Sequence, residues 1–412
     1  YATARTGATP AAAELAAYRP ASTADAVTCY TYDTANRIKT VATAQGAAVV
    51  NGATVFQWAV TERTYDATGQ LRATTQYATA ATTASLAIAP ASIPAKDAAR
   101  DRVTSFDYDA VGRLTNTTDA EGGKTVLVYD AKGNLIQRTA KGATSADDRV
   151  SRSYYDLDNR LQFSVDAAGD VTEQRYDTQG NVAATVRYAK PVATWQLTDL
   201  ASSLTTQLAT SADDRTERYI YDRNHRLVYA LDALGYLTET IYDAFGRVAA
   251  TSAYPTPAHP TDYTLTAVST AKAAAGTPRV TGFDYDAEGN LVKSTDAMGV
   301  SESYGYDALG RKTSFTNKLQ QTWTYAYDSV GRLVLETAPA VDVYPNGAAN
   351  WASQPPKSIA LKTAMAYDTL GNLVTRTEGY GSEQPRVTSY GYDLAGRHIW
   401  TKLPVSAIYD VN

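Results

Sequence analysis

The sequence predicts an all-β protein of tandem antiparallel β-hairpins, and three observations carry that prediction. A seven-residue phrase recurs: YDAVGRL at 108–114, YDAKGNL at 129–135, YDALGRK at 306–312 and YDSVGRL at 327–333. Its spacing is regular. Thirteen Tyr-Asp pairs followed by a turn begin at Tyr32, Tyr65, Tyr108, Tyr129, Tyr155, Tyr176, Tyr221, Tyr242, Tyr285, Tyr306, Tyr327, Tyr367 and Tyr392, and five of the intervals are 21 residues. The flanking segments alternate in side-chain character with the period of two that a strand imposes. A repeat of this length is one supersecondary unit that buries its surface only against its neighbours.

The turn itself is legible. Four residues after each repeat Tyr stands Gly in ten units, and Asn36, Asn159 or His225 in the other three. Gly enters positive φ freely, and Asn and His are among the few other residues enriched there. Asp-x-x-Gly supplies a type I turn, and a left-handed residue after it makes a tight hairpin connection ending in a bulge. The Asp carboxylate is placed to accept hydrogen bonds from the turn's own amides.

A second turn of the same spelling lies eleven residues after four of the Tyr positions, at Asp119–Gly122, Asp166–Gly169, Asp232–Gly235 and Asp296–Gly299. Each 21-residue unit thus holds two turns and two strands of roughly six or seven residues. Aromatic residues two before the repeat Tyr, among them Tyr30, Phe106, Tyr219, Phe283, Tyr304, Tyr325 and Tyr390, share its face and can stack across strands. The position six after it is Leu, Ile or Val in eleven of thirteen units.

Composition narrows the function classes. The 412 residues carry 38 Lys+Arg against 43 Asp+Glu, a net charge of −5, with no concentrated basic stretch, so no nucleic-acid partner is expected. Cys29 is the one cysteine, so there is no intrachain disulfide framework and no zinc spacing. No apolar run is long enough for an ordinary transmembrane helix. Thirty Tyr stand against 6 Phe and 2 Met. Tyr suits a surface apolar along the ring and wet at the tip, as a thin wall with water on both sides requires.

The chain opens on Tyr1 and stops two residues after Tyr409-Asp410, and a segment of a longer polypeptide is expected. Residues 1–27 read as a cut repeat remnant or linker, 28–400 as the repeat array, and 401–412 as the start of a further repeat. Polar Ala/Thr/Pro-rich insertions interrupt the array at about 78–102, 188–217, 251–280 and 338–362. Each fits an elongated hairpin with a long loop at its tip. Leu200, Leu204 and Leu208 share a helical face, with Thr198 or Asp199 able to cap it, which predicts a short helix over 198–208. The insertions either contact partners or brace the ribbon. Trp195 and Trp351 within them could stack on sugars or anchor the loops.

No catalytic, cofactor-binding or metal-binding residue is assigned. The pairs Asp147/Asp148 and Asp213/Asp214 read as loop-to-strand junctions, because adjacent strand residues point to opposite faces. His225, His259 and His398 are scattered in sequence. Thirteen equivalent Tyr-Asp pairs cannot each be a tuned catalytic pair. A calcium β-roll needs a nonapeptide period, which 21 does not match.

YDxxGRL followed by DAxGxxTxxxYDxxGN resembles the RHS/YD-repeat family, with clear matches from Tyr108 to Leu135, Tyr155 to Val182, Tyr221 to Val248 and Tyr285 to Lys312. The resemblance covers about residues 28–400. It implies a β-ribbon spiralling into a hollow shell, as in bacterial polymorphic toxins, insecticidal toxin complexes and teneurins. It further implies a secreted or cell-surface bacterial protein, structural rather than enzymatic, that encapsulates or presents a toxin lying outside this chain. The segment that performs self-cleavage in the toxin branch is not found here. The partners implied are the cargo polypeptide and further repeats of the parent chain. The alternative is an adhesion protein whose insertion loops bind a surface glycan or protein receptor. Twenty-six strands at ~4.8 Å give about 125 Å of ribbon, one circuit of a container, with bare sheet edges expected.

Overall fold

The computed structural model describes residues 27–86, 90–192, 208–343 and 357–404. They form a single sheet of 27 strands. Twenty-six of these follow one another in chain order, each antiparallel to the next, from Val27–Tyr32 to His398–Lys402; the short strand Ala81–Thr83 pairs only with Phe56–Trp58 on the long strand Ala53–Tyr65. The last strand then returns to the first, pairing Val27 with Lys402, Thr28 with Thr401 and Cys29 with Trp400. The sheet is a closed, hollow ring. The bare edges expected from the sequence are not there, and the reason lies in the register.

Within a hairpin, the residue before the repeat Tyr pairs with the residue eight after it, as Asp107 with Asn116. Between hairpins that residue pairs with the one three before the next repeat Tyr, as Asn116 with Val126. Trp400 and Cys29 obey the same rule at the closure. Each hairpin therefore steps two residues along its neighbour, and thirteen hairpins accumulate a stagger of 26, equal to the number of strands. Equal stagger and strand number tilts strands by about 36°, the geometry of eight-stranded barrels with shear 8. At ~4.8 Å spacing the backbone ring is then about 50 Å across.

The turns are built as the residues dictate. At Asp109 the carboxylate Oδ1 accepts from the amides of Val111 (3.1 Å) and Arg113 (2.9 Å), while the Gly112 amide donates to the Asp109 carbonyl at 3.0 Å. Asn36, Asn159 and His225 sit at φ 63°, 66° and 59°, as the Gly substitutes must. A further turn of this form, Asn317 to Gln320 with Gln320 at φ 62°, was not legible because neither end carries the expected letter.

A side-chain interface repeats between hairpins. Arg113 pairs with Asp109 at 2.7 Å and lays its guanidinium over the Tyr129 ring of the next unit, 4.8 Å from the centroid. The repeat Tyr hydroxyl donates back to the carbonyl of the preceding unit, as Tyr176 to Leu161 at 2.7 Å. The closure repeats both contacts: Arg397 lies over Tyr32 at 4.9 Å, and Tyr32 donates to the His398 carbonyl at 2.6 Å. The seam is thus chemically the same joint as the Arg-bearing joints elsewhere in the ring.

Because every unit contributes one rising and one falling strand, all thirteen Tyr-Asp turns lie on one rim and every longer connection lies on the other. The sequence reading missed one long hairpin, Ile38–Val50 with Ala53–Tyr65, reversed at Asn51 and Gly52. The insertion at 338–362 is an elongated hairpin, with strands Leu333–Val343 and Lys357–Tyr367. The helix predicted over 198–208 falls outside the described residues, except Leu208. A helix not read from the sequence occupies Leu265–Ala271, capped by the Thr264 hydroxyl accepting from the Ala267 amide.

Two outcomes follow from the turns. At Gly310 (φ 74°) an added Cβ would meet only an ordinary contact, Asn290 Oδ1 at 3.7 Å, so Gly310→Ala costs only backbone strain, about 1–2 kcal/mol. Its thermal unfolding midpoint should fall, whereas Gln320→Gly, at φ 62°, should hold or raise it; equal behaviour would refute the left-handed assignment. Acid supplies the second. Asp33, Asp109, Asp307 and Asp328 are held below the usual carboxylate range, first by the amide of the residue four later, and Asp66 is held at about 2, first by the Thr68 hydroxyl. Depressed folded values stabilise the protein above the unfolded value of about 3.9 and lose that contribution as pH falls towards 2. The denaturant midpoint should be level from pH 6 to 5 and drop below pH 4; an unchanged midpoint at pH 3 would contradict it.

Candidate functional surfaces

The wall has two unlike faces. Residues two before the repeat Tyr, on its own face, are half-buried in all thirteen units. On the opposite face the residue just before the Tyr is exposed where the wall is bare, as at Asp107, Asp284 and Ala326. It is buried at Tyr154 and Ile220. These last two belong to clusters that the insertions cover: Tyr154 with Phe163, Val171 and Tyr188, and Ile220 with Tyr229, Leu237 and Val268 of the helix. A third cluster gathers Trp58, Phe56, Leu86 and Trp400.

A shared device sits at the base of three insertions. Tyr77, Tyr188 and Tyr254 donate to Glu62, Glu173 and Glu239 at 2.6, 2.6 and 2.9 Å. In each case Glu stands three before a repeat Tyr and its partner twelve after, a spelling confined to the units at Tyr65, Tyr176 and Tyr242. This signal was present in the sequence and was not read. Buried carboxylates need partners, and two of the three also hold a cation: Arg175 on Glu173 at 2.8 Å, and Lys272 on Glu239 at 2.6 Å. Burial works to raise the Glu239 carboxyl, but the Lys272 ammonium and the Tyr254 hydroxyl hold it below the usual range. Burial and then Glu173 push the Tyr188 hydroxyl up to about 12. The insertions also clip onto the second turns: the Val192 amide donates to the Gly169 carbonyl and the Ala258 amide to Gly235, both at 2.8 Å.

The residues singled out from sequence do not converge. Asp148 binds Lys141 (2.6 Å) and the Gly142 amide, Asp147 the Thr144 amide and hydroxyl, and Asp214 the amides of Ala189 and Ser211. They are junction residues, bonded to backbone amides, to the Thr144 hydroxyl and to Lys141. His225 fills a turn and lies 3.2 Å from Asn181 Oδ1; His259 is exposed; His398 sits among Tyr30, Tyr390 and Tyr392, where burial lowers its pKa. Cys29 is buried at the seam. Trp195 and Trp351 lie outside the described residues. Among the described residues no three His, Cys, Asp or Glu gather as a metal site, and no helix is long and apolar enough to cross a membrane.

The RHS repeat family profile matches residues 96–124, 108–145 and 285–318. No curated protein matches significantly. Among solved structures, the Photorhabdus luminescens Tc holotoxin pore is 18% identical over 90% of this chain and 18% of its own, with a TM-score of 0.46. The TcdB2-TccC3-Cdc42 structure is 16% identical over 90% of this chain and 20% of its own, with a TM-score of 0.41. A porin-like protein from Bacteroides uniformis is 12% identical over 84% of this chain and 97% of its own, with a TM-score of only 0.15. The chain spans about a fifth of the length of the two toxin-complex structures. With thirteen Tyr-Asp turns in one register and three profile matches, the chain carries RHS/YD-type repeats, and its hairpins form a closed β-shell.

Proposed function

We propose that this shell is a section of container wall that surrounds a polypeptide cargo, in a secreted bacterial protein that works with other chains of a toxin complex. The observation that carries the reading is the closed ring. A backbone ring about 50 Å across leaves roughly 40 Å clear of side chains, and a 150-residue domain is about 38 Å across. The joints between hairpins share one register, which suits a wall and not a site. The strands are mostly five to seven residues, against the 9–11 a membrane-crossing strand needs. Polar residues such as Asp107, Asp284 and Lys293 are exposed on the bare face. Water on both sides fits both facts.

Three insertions pack apolar side chains against the wall, Leu86 and Val268 buried and Val192 half-buried. This bracing supports the container over the adhesion reading, which needs insertions held free for a glycan or protein receptor. The wall is also low. Strands of this length give about 15–20 Å of height, so one ring encircles a domain without capping it.

The test uses the natural full-length protein. Gly391 lies under the Trp400 indole beside the seam, with no room for a Cβ, so Gly391→Ala should loosen the closure. Under limited proteolysis, the cargo should resist digestion in the wild type and be cut at least tenfold faster in the variant. Equal rates in both would refute encapsulation.

A further inference from the structure

The rim of Tyr-Asp turns is not uniform. Closure brings seven consecutive turn tips together, in ring order those of the units at Tyr306, Tyr327, Tyr367, Tyr392, Tyr32, Tyr65 and Tyr108. None carries a charge at its two central residues. The apolar members point into solvent: Leu309 is 77% exposed, Val330 73%, Leu370 60%, Leu394 83% and Val111 75%. The other six tips include Lys132, Asp158, Arg223 and Glu288. This run of tips with no central charge exists only because the seam sets Leu394 beside Ala35; in an open ribbon these tips would be at opposite ends.

The arc's borders are charged oppositely. Lys132 bounds it on one side, in the turn after Tyr129, and Glu288 on the other, in the turn after Tyr285. Both are exposed, and among the described residues neither side chain forms an ion pair within the chain. A uniform register with a fixed step sets the tips on one flat circle. They recur every ~12 Å around a ring of this width, so seven cover about 80 Å; with a wall about 10 Å thick the arc offers roughly 800 Å². That equals one partner's share of a standard stable interface.

From this geometry we infer that the arc docks on the same arc of a second copy, joining two rings rim to rim about a two-fold axis through the Leu394 turn. An isologous contact requires a self-complementary patch. This axis sets Leu394 against its own counterpart, Leu309 against Val111, and Lys132 of each copy against Glu288 of the other. Five of the seven tips expose a large apolar side chain along one stretch of rim, and the flanking charges fix the register of the contact. The pairing doubles the height of the wall, and it stands independently of any cargo.

Sedimentation equilibrium of the chain from about 1 to 50 µM tests it. The wild type should sediment as a dimer of the 44.2 kDa chain. Leu394→Asp sets two like charges on the axis and should give a monomer with an unchanged circular dichroism spectrum. Lys132→Glu and Glu288→Lys should each weaken the dimer severalfold, and the double variant should recover it, which also settles the matter if Leu394→Asp does not fold. A wild type that stays monomeric at 50 µM overturns the inference. So does a dimer indifferent to Leu394→Asp, which would have formed through another surface, or a double variant no tighter than the single ones.

Discussion

Everything in this protein depends on the joint between one hairpin and the next. A Tyr hydroxyl donates to the preceding unit's carbonyl, and an Arg paired to the preceding turn's Asp lies on the Tyr ring. An Arg–aromatic contact of this kind is worth about 0.5–1 kcal/mol at a part-exposed site, so no single joint is strong. Its importance is geometric. The same pair of contacts recurs at one register, and a constant two-residue step converts a string of hairpins into a tilt, a radius and a closure. Where Arg gives way to Asn134, Asn181, Asn290 or Asn372, the amide keeps the Asp bond, as Asn134 to Asp130 at 2.8 Å, and the step is preserved without the stacked cation.

The alternation of rims is the second consequence. An even number of strands per unit sends every insertion to one side and leaves the other a plain row of equal turns. A chain evolving on this plan can lengthen its connections freely at one rim while the other stays flat. The insertions that are described do not hang loose. Glu62, Glu173 and Glu239 are buried under them, and a buried carboxylate is stable only with its hydrogen bonds made. Each Glu–Tyr pair therefore makes a covered face conditional on the insertion being in place.

Much of this was legible in the sequence, for a physical reason. A turn requiring positive φ admits few residues, so Gly, Asn and His at one position reported the backbone directly, and the strands on either side followed from the period of two. The closure was not legible. It depends on a two-residue step repeated thirteen times, and a step belongs to the pairing of strands rather than to any one of them. The turn ending at Gln320 was missed because strong neighbouring hairpins impose a left-handed backbone on a residue that does not favour it. The helix at Leu265–Ala271 was missed although Thr264, Leu265, Val268 and Ala275 spell a cap and an apolar face. The Glu–Tyr pairs escaped notice since their members are fifteen residues apart and become neighbours only when the connection folds back.

The closed seam is the claim on which the ring, its width and its lumen rest, and amide hydrogen exchange reads it directly. The backbone amides of Val27–Tyr32 and His398–Lys402 should exchange as slowly as those of an interior pair such as Leu161–Val165 and Val171–Tyr176. If the first and last strands exchange at the rate of free chain while the interior strands are protected, the sheet is an open ribbon and the closed shell is wrong.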